Sequence, residues 1–360
     1  MLENIAISNF QPPAPLHTAV LLLVFNRPDS TARVLQSLSK AKPPRLYVAG
    51  DGPRAAHPDD QRRCAEVRNL LQAINWPCEV LTRFREENLG CKRAVSDALS
   101  WFFAQEDEGI VLEDDCVPEQ SFFWYCEELL GRYRHNRRIG VIGGLNFGPL
   151  RGRASSYYFT KYSNIWGWAS WRRYWKLYDG EMSSIEFPEL LRRLEQLSDG
   201  NRFFVRYWAD IYLRCSSKVN YQWRSPLPWS LDIQSSPHEV INRSPINSWA
   251  YPLLFTGFMQ NPSALHIVPS INLIQNIGFS ESGTHTTDPG DHWVAEVSDL
   301  RLPLRSPTLC ERDVEADRLV DTTWYRIGLG PSLRSTLLSR YPLLRRLRTA
   351  VRRVRAPARP

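Results

Sequence analysis

The sequence predicts an α/β protein built on a mostly parallel, Rossmann-like sheet flanked by helices, and three observations predict it. Short apolar runs alternate with helical patterns at the spacing of βαβ units. The runs are continuously apolar, as expected of strands buried on both faces. Polar turns rich in Asn, Asp, Gly and Pro separate them.

The elements follow in order. Residues 18–25 form the first strand, and Asn26-Arg27-Pro28-Asp29-Ser30 supplies a turn and helix start before the helical spacing of Val34, Leu35 and Leu38. A second strand, 45–49, ends in Gly50-Asp51-Gly52-Pro53 and precedes a helix over 58–73. Trp76-Pro77 introduces a third strand, 78–84, after which Asn88-Leu89-Gly90 turns into a helix over 91–104. The fourth strand, 109–112, ends in Glu113-Asp114-Asp115; a helix from Pro118 to about Arg134 and a fifth strand at 139–142 follow. Beyond residue 150 the alternation fades into an aromatic-rich stretch, 157–178, then a helix at 189–197, a Ser/Pro-rich region at 225–245, a strand at 265–269 and an Asn/Gly-rich end at 272–286.

Composition excludes several classes. With 360 residues, 43% apolar and 23% charged, the chain is neither disordered, collagenous nor a coiled coil. Its longest apolar runs fall short of the ~20 residues that a membrane-spanning helix needs. Residues 1–10 hold Glu3 and no basic residue, and Pro12, Pro13 and Pro15 follow, which predicts no secretory signal and a cytoplasmic protein. Seven cysteines without a Cys-x-x-Cys pair are expected to be reduced and structural. The net charge of +7 is local: nine Arg and no acid lie in 331–360, leaving 36 basic against 38 acidic residues before them.

Ligands of such sheets bind beyond the carboxyl ends of the strands. The polar residues found there are Asn26 and Arg27, Asp51, Arg85 with Glu86 and Glu87, and the triplet Glu113-Asp114-Asp115. Three adjacent carboxylates repel one another unless a cation or a hydrogen-bonded cap relieves them. Hard oxygen ligands favour Mg²⁺ or Mn²⁺, which keep substrate phosphate oxygens in their shell. The plainer reading is that Asp115 caps the helix started by Pro118.

Several segments in one order carry a resemblance: residues 22–28, Asp51-Gly52-Pro53-Arg54, Asn88-Leu89-Gly90-Cys91, residues 111–118, Ile165-Trp166-Gly167-Trp168, and residues 272–279 with Thr284-His285-Thr286. Together, over about residues 18–287, the chain resembles the bacterial nucleotide-diphospho-sugar glycosyltransferases of the GT-A type, family 2-like, and more remotely the N-acetylglucosaminyltransferase I group. The resemblance implies a GT-A fold and a metal-dependent transfer of a sugar, hexosyl or N-acetylhexosaminyl, from a nucleotide-diphosphate donor to a hydroxyl of a saccharide or lipid-linked acceptor, with inversion. It implies an N-terminal extension at 1–17, a nucleotide-sugar-binding half at 18–150, an acceptor half at 151–287, a linker at 288–330 and a basic tail at 331–360. Asp51 matches the carboxylate that binds the nucleoside, with Asn26 and Arg27 in the same pocket. Asp115 matches the metal ligand, Glu113 and Asp114 its neighbours facing ribose and sugar, and His285 a late metal or phosphate ligand. An inverting transfer needs a base for the acceptor hydroxyl. Relatives carry an acidic residue in a Trp-Asp-Tyr-Gln-Trp-like segment, where Ser248-Trp249-Ala250-Tyr251-Pro252 offers Ala250 and Asn220-Tyr221-Gln222-Trp223 offers Asn220. Asp232, Glu239 or Glu281 is left as the base, or the chain binds donor without transferring it.

Other residues carry two readings. Trp171 and Trp175 suit a core-facing helix; Trp166 and Trp168 suit sugar contact and packing equally. Lys92 and Arg93 read first as solvated charge and second as diphosphate contacts. In the tail, Leu343, Leu347, Val351 and Val354 share one helical stripe and six Arg cover the rest, a basic amphipathic helix fit for an anionic membrane surface. RNA binding through the tail is the alternative, and it lacks aromatic interleaving. Deleting residues 331–360 is expected to move the protein from membrane to soluble fractions; an unchanged distribution counts against the tail as an anchor.

Overall fold

The computed structural model describes residues 10–147, 154–216, 246–260, 262–278 and 296–327. An eight-stranded mixed sheet runs through it in the order β3-β2-β1-β4-β8-β6-β9-β7. The strands are β1 (Val20–Val24), β2 (Arg45–Gly50), β3 (Glu79–Phe84), β4 (Glu108–Glu113), β6 (Ile139–Gly143), β7 (Tyr157–Thr160), β8 (Trp168–Trp171) and β9 (Leu265–Pro269). A two-stranded ribbon pairs β5 (Cys116–Pro118) with β10 (Ile274–Asn276). β3, β2, β1 and β4 are parallel, whereas β8 runs antiparallel between β4 and β6. The α/β class and the alternation of the first half are as the sequence predicts.

Alternate residues of β1 divide two cores. Val20, Leu22 and Val24 pack with Val34, Leu35 and Leu38 of α1 (Pro28–Ala41) and with the apolar α4 (Ser121–Tyr133). Leu21 and Leu23 pack with Leu99, Phe102 and Phe103 of α3 (Cys91–Gln105). Helices therefore cover both faces, which keeps a wholly apolar strand out of water. On the first face, α2 (Pro58–Asn69) adds Val67. After β8 a short helix, α5 (Arg172–Trp175), turns the chain toward a third, helical core. That core joins α6 (Phe187–Leu197), α7 (Arg202–Cys215) and α8 (Ala250–Met259), with Val320 of α9 (Val314–Thr323) closing it.

Four expectations are corrected. Pro118 ends the strand β5 instead of opening a helix, because residues 274–276 pair with it; α4 starts at Ser121 after Gln120. Trp168 and Trp171 stand on a strand, and their spacing of three sends them to opposite faces, Trp168 into the α3 core and Trp171 into the α1–α4 core. Residues 296–327 do not form a linker: Leu300 and Leu304 are buried in the first core and α9 docks on β7. Lys92 is largely covered rather than free in solvent, its ammonium pairing with the exposed Glu181 at 2.8 Å. All seven cysteines are unpaired, and among the described residues no helix is long and apolar enough to cross a membrane. The basic tail lies outside the described residues.

His266 of β9 is fully buried, and its Nδ1 accepts the Val141 N–H at 3.0 Å. Burial holds its pKa down at about 3. A histidine neutral when folded and protonatable when unfolded contributes stability that is complete above its unfolded pKa near 6.5 and is lost as pH falls toward 3. We expect His266→Gln to flatten the decline of unfolding free energy between pH 6.5 and 4 in urea titrations; an unaltered slope contradicts this.

Candidate active site

The parallel register builds the site. Leu23 pairs with Glu113 and Val24 with Gly50, so β1, β2 and β4 end together. The segments that follow them, Phe25-Asn26-Arg27, Asp51 and Asp114-Asp115, leave one edge side by side, separated by strand spacings of about 4.8 Å. The sequence-predicted residues Asn26, Arg27, Asp51, Glu113, Asp114 and Asp115 are brought together there.

Among the described residues the acidic end meets little positive charge. Arg27 Nη1 lies 2.6 Å from Asp115 Oδ2 and 3.5 Å from Asp114 Oδ1. The Phe25 N–H donates to Asp114 Oδ2 at 3.0 Å. Among the described residues one guanidinium thus faces three carboxylates. Burial, then the charge of Asp115, pushes Asp114 up to about 7, and burial with the Asp115 and Asp114 charges raises Glu113. Among the described residues the Glu113 carboxylate has no hydrogen-bond or ion-pair partner. Among the described residues Asp115 Oδ1 accepts only the weak Cys116 Sγ contact at 3.5 Å. Asp115 is no helix cap: its backbone carbonyl instead accepts the Ile277 N–H at 2.8 Å. Gly278 lies so close that a Cβ there would come 2.2 Å from Asp115 Oδ2.

These residues fit a divalent cation. The Glu113 carboxylate and Asp115 Oδ1 offer hard oxygen donors that meet little countercharge among the described residues. Among the described residues no three His, Cys, Asp or Glu side chains form a complete cage. The donor set therefore suits an ion that completes its shell with water and phosphate oxygens.

Beside the carboxylates lies a cleft of about 320 Å³ lined by Phe25, Asn26, Arg27, Arg54, His57 and Arg63 together with the acids Asp59 and Asp60. Asp60 is its hub, and sequence reasoning missed it. It accepts from Asn26 Nδ2 at 2.7 Å and from Arg54 Nε at 2.6 Å and Nη2 at 3.0 Å. Those bonds hold its pKa far below the ordinary carboxylate range. The only sequence signal was an acid in the first turn of α2, ordinarily read as a partner of the helix dipole. Arg54 also lies over the Phe25 ring, 5.4 Å from its centroid.

Asp51 is engaged inside the protein. Its carboxylate accepts the N–H groups of Gly52, Leu89 and Gly90 at 2.9–3.0 Å and Asn88 Nδ2 at 3.0 Å. It clasps the Asn88-Leu89-Gly90 turn, where Gly90 takes φ +79° and opens α3. Cys91 marks how near the two acidic groups stand: its thiol is pushed to about 11 by desolvation and then by the charges of Glu113 and Asp51. Asp232, Glu239, Glu281 and His285 lie outside the described residues, as does Asn220. Ala250 begins α8, where Trp249 stacks on Trp168 with centroids 6.1 Å apart. Trp168, Trp171 and Trp175 are core residues, whereas Trp166 is half-buried.

No family profile and no curated protein matches the chain. Among solved structures it is similar to a mannosyltransferase from Pyrobaculum calidifontis in complex with GDP-Man and Mn²⁺, at 14% identity over 69% of this chain and 76% of that one, TM-score 0.32. HddC from Yersinia pseudotuberculosis is similar at 10% identity over 43% and 77%, TM-score 0.27. A UDP-glucose pyrophosphorylase complexed with UDP-glucose is similar at 10% identity over 45% and 79%, TM-score 0.27. These likenesses place the chain in no family.

Gly52 tests the clasp, because a Cβ there would meet the Glu87 backbone at 2.4–2.6 Å, whereas one at Gly131 of α4 meets nothing within 4 Å. Gly52→Ala should cost about 1–3 kcal/mol in denaturant unfolding, and Gly131→Ala should gain about 0.5–1 kcal/mol. Equal effects would contradict the crowding at Gly52.

Proposed function

We propose that the chain is a metal-dependent glycosyltransferase of the GT-A type. It moves a hexosyl or N-acetylhexosaminyl group from a nucleotide-diphosphate donor to a hydroxyl of a saccharide or lipid-linked acceptor, with inversion. One observation carries the reading: a carboxylate cluster that among the described residues meets one guanidinium stands beside an arginine-lined cleft, at the edge where β1, β2 and β4 end.

Each residue has a task in this reading. The nucleoside occupies the cleft, whose wall is set by the Asn26–Asp60–Arg54 network. Arg27 stands between cleft and carboxylates, placed to touch a diphosphate while it orients Asp115. Asp115, with Glu113 beside it, would hold Mn²⁺ or Mg²⁺; when bound, such an ion offsets the negative charge of a departing diphosphate without supplying a proton. Asp51 acts by fixing the turn that borders the site. His285 is a proposed further ligand, and Asp232, Glu239 or Glu281 the proposed base. The basic tail would hold the enzyme peripherally at the inner face of the cell membrane, near a lipid-linked acceptor.

Calorimetry with GDP-mannose and UDP-glucose tests this. In the presence of Mn²⁺ at least one donor should bind, and Asp115→Ala should weaken it tenfold or more, about 1.4 kcal/mol. Unchanged affinity in the variant refutes the metal role. A cation held by Asp115 and Glu113 competes with the protons of this acidic cluster, Asp114 included. With Asp114 near 7 and Glu113 raised, binding should strengthen from pH 6 to pH 8; a flat profile excludes these carboxylates as the ones that titrate.

A further inference from the structure

The two edges of the eight-stranded sheet are treated differently. β7 forms one edge, and the chain covers it with its own later segment: the Asp313 N–H donates to the Phe159 carbonyl at 2.8 Å, Phe159 forms a parallel bridge with Arg312, and the Thr160 hydroxyl donates to Asp317 at 2.5 Å. β3 forms the other edge and pairs with β2 alone in the sheet. An unpaired edge is a template for a further strand, and chains that stay single blunt it with proline, lysine, a bulge or a covering segment. Glu79–Phe84 holds no proline and no lysine, and its register with β2 runs without a shift.

The ladder to β2 shows which backbone groups are open. The Glu79 N–H donates to the Pro44 carbonyl and the Arg85 N–H to the Gly50 carbonyl, both at 2.9 Å. Alternate residues of a strand turn their N–H and C=O groups to the same neighbour. Glu79, Leu81, Arg83 and Arg85 therefore face β2, and Val80, Thr82 and Phe84 turn theirs outward. Among the described residues nothing bonds to that outer row. Thr82 is exposed, and Val80 is an apolar side chain left 38% exposed.

The side chains of this edge complement a reversed copy of themselves. Arg83 and Arg85 share the one carboxylate of Asp97, which lies 3.1 Å from Arg83. Two guanidinium groups thus stand on one acid at the carboxyl end of the strand. At the amino end Glu79 is exposed, and among the described residues its carboxylate has no hydrogen-bond or ion-pair partner. With a second β3 running antiparallel and Thr82 on the two-fold axis, Val80 meets the partner's Phe84 and Thr82 meets the partner's Thr82. All are outward residues, and each such pair exchanges two backbone bonds, about six in all. On the other face of the strand the same register sets Glu79 against the partner's Arg85 and Leu81 against the partner's Arg83. β-branched against aromatic, and acid against base, are cross-strand pairs that stabilise a sheet.

We propose that the chain forms a two-fold dimer through the β3 edge, in which a second copy continues the sheet antiparallel about Thr82. Such an interface uses the same patch on both copies and closes on itself, so assembly stops at two. Because the joined strands run in opposite directions, the carboxylate edges of the two copies lie at opposite ends of the continuous sheet.

Sedimentation velocity of the full chain at micromolar concentrations tests this. The unaltered protein should sediment as a dimer that dissociates on dilution. Thr82→Pro should weaken dimerisation tenfold or more; the Thr82 N–H points outward, so the bonds to β2 survive the change. Glu79→Arg and Arg85→Glu should each weaken self-association tenfold or more, since each sets like charges opposite one another. Mixed together, those two variants should associate to within threefold of the unaltered protein, because in the mixed dimer every charge again meets its opposite. Circular dichroism reports the folding of each variant, and the charge pair decides should Thr82→Pro unfold. The proposal is overturned by a monomer at every concentration or by an assembly larger than a dimer. A dimer indifferent to a folded Thr82→Pro or to both charge reversals, or a mixture that stays monomeric, overturns it equally.

Discussion

Three consecutive carboxylates, set among the described residues against the one guanidinium of Arg27, govern this edge of the molecule. Carboxylates a few ångström apart in a partly desolvated place repel each other strongly, and burial alone favours their neutral forms. Folding accepts that cost at the end of β4, where register forces Glu113 beside β1 and sends Asp114 and Asp115 into the gap between Arg27 and β5. The surroundings reduce the cost only in part. A backbone N–H from Phe25 reaches Asp114, and Arg27 reaches Asp115, but among the described residues Glu113 gains neither. Gly278 gives the Asp115 carboxylate room that any side chain would occupy. Such an arrangement is costly for stability alone and suited to a cation that arrives with its own anionic ligand.

The first half of the fold was legible because its signals are local. Val20–Val24 is apolar without a break, Pro28 sits at the first turn of α1, and the buried positions of that helix recur at helical spacing. The carboxyl-edge rule then pointed to residues that the structure gathers at one edge, since it depends only on where strands stop. What each residue does there was less legible. Asp51 looked like a ligand-facing acid, yet its hydrogen bonds go to a turn nearly forty residues away, a partnership that only β2–β3 pairing creates. Asp60 looked like a helix-start acid, and its union with Asn26 depends on the parallel neighbours β1 and β2.

The second half defeats local reading for a different physical reason. Trp168 and Trp171, three apart, mimic a helical stripe, but Gly167 at positive φ and pairing with β4 and β6 make the segment a strand. α9 carries acids at 317 and 321 that look solvated in sequence. Both are buried against partners about 160 residues distant. Nothing in the composition of 296–327 announces that union.

That long-range union also explains why a buried ion pair is tolerated. Burial lowers the pKa of Lys161 and raises that of Asp317 to about 6, so each charge exists at some expense. Well-packed apolar residues usually serve stability as well or better. Ionic partners differ from apolar ones in demanding one geometry: Lys161 can satisfy Asp321 and the Leu197 carbonyl together only when α9 lies in a single register against β7. An apolar contact would let that helix slide by a turn, and Trp324 at its end would leave Phe147 and Trp166. Thus the charged edge is set by strand register, a product of the nearby chain, while the seat of α9 is set by a buried clamp between residues 160 apart in the sequence.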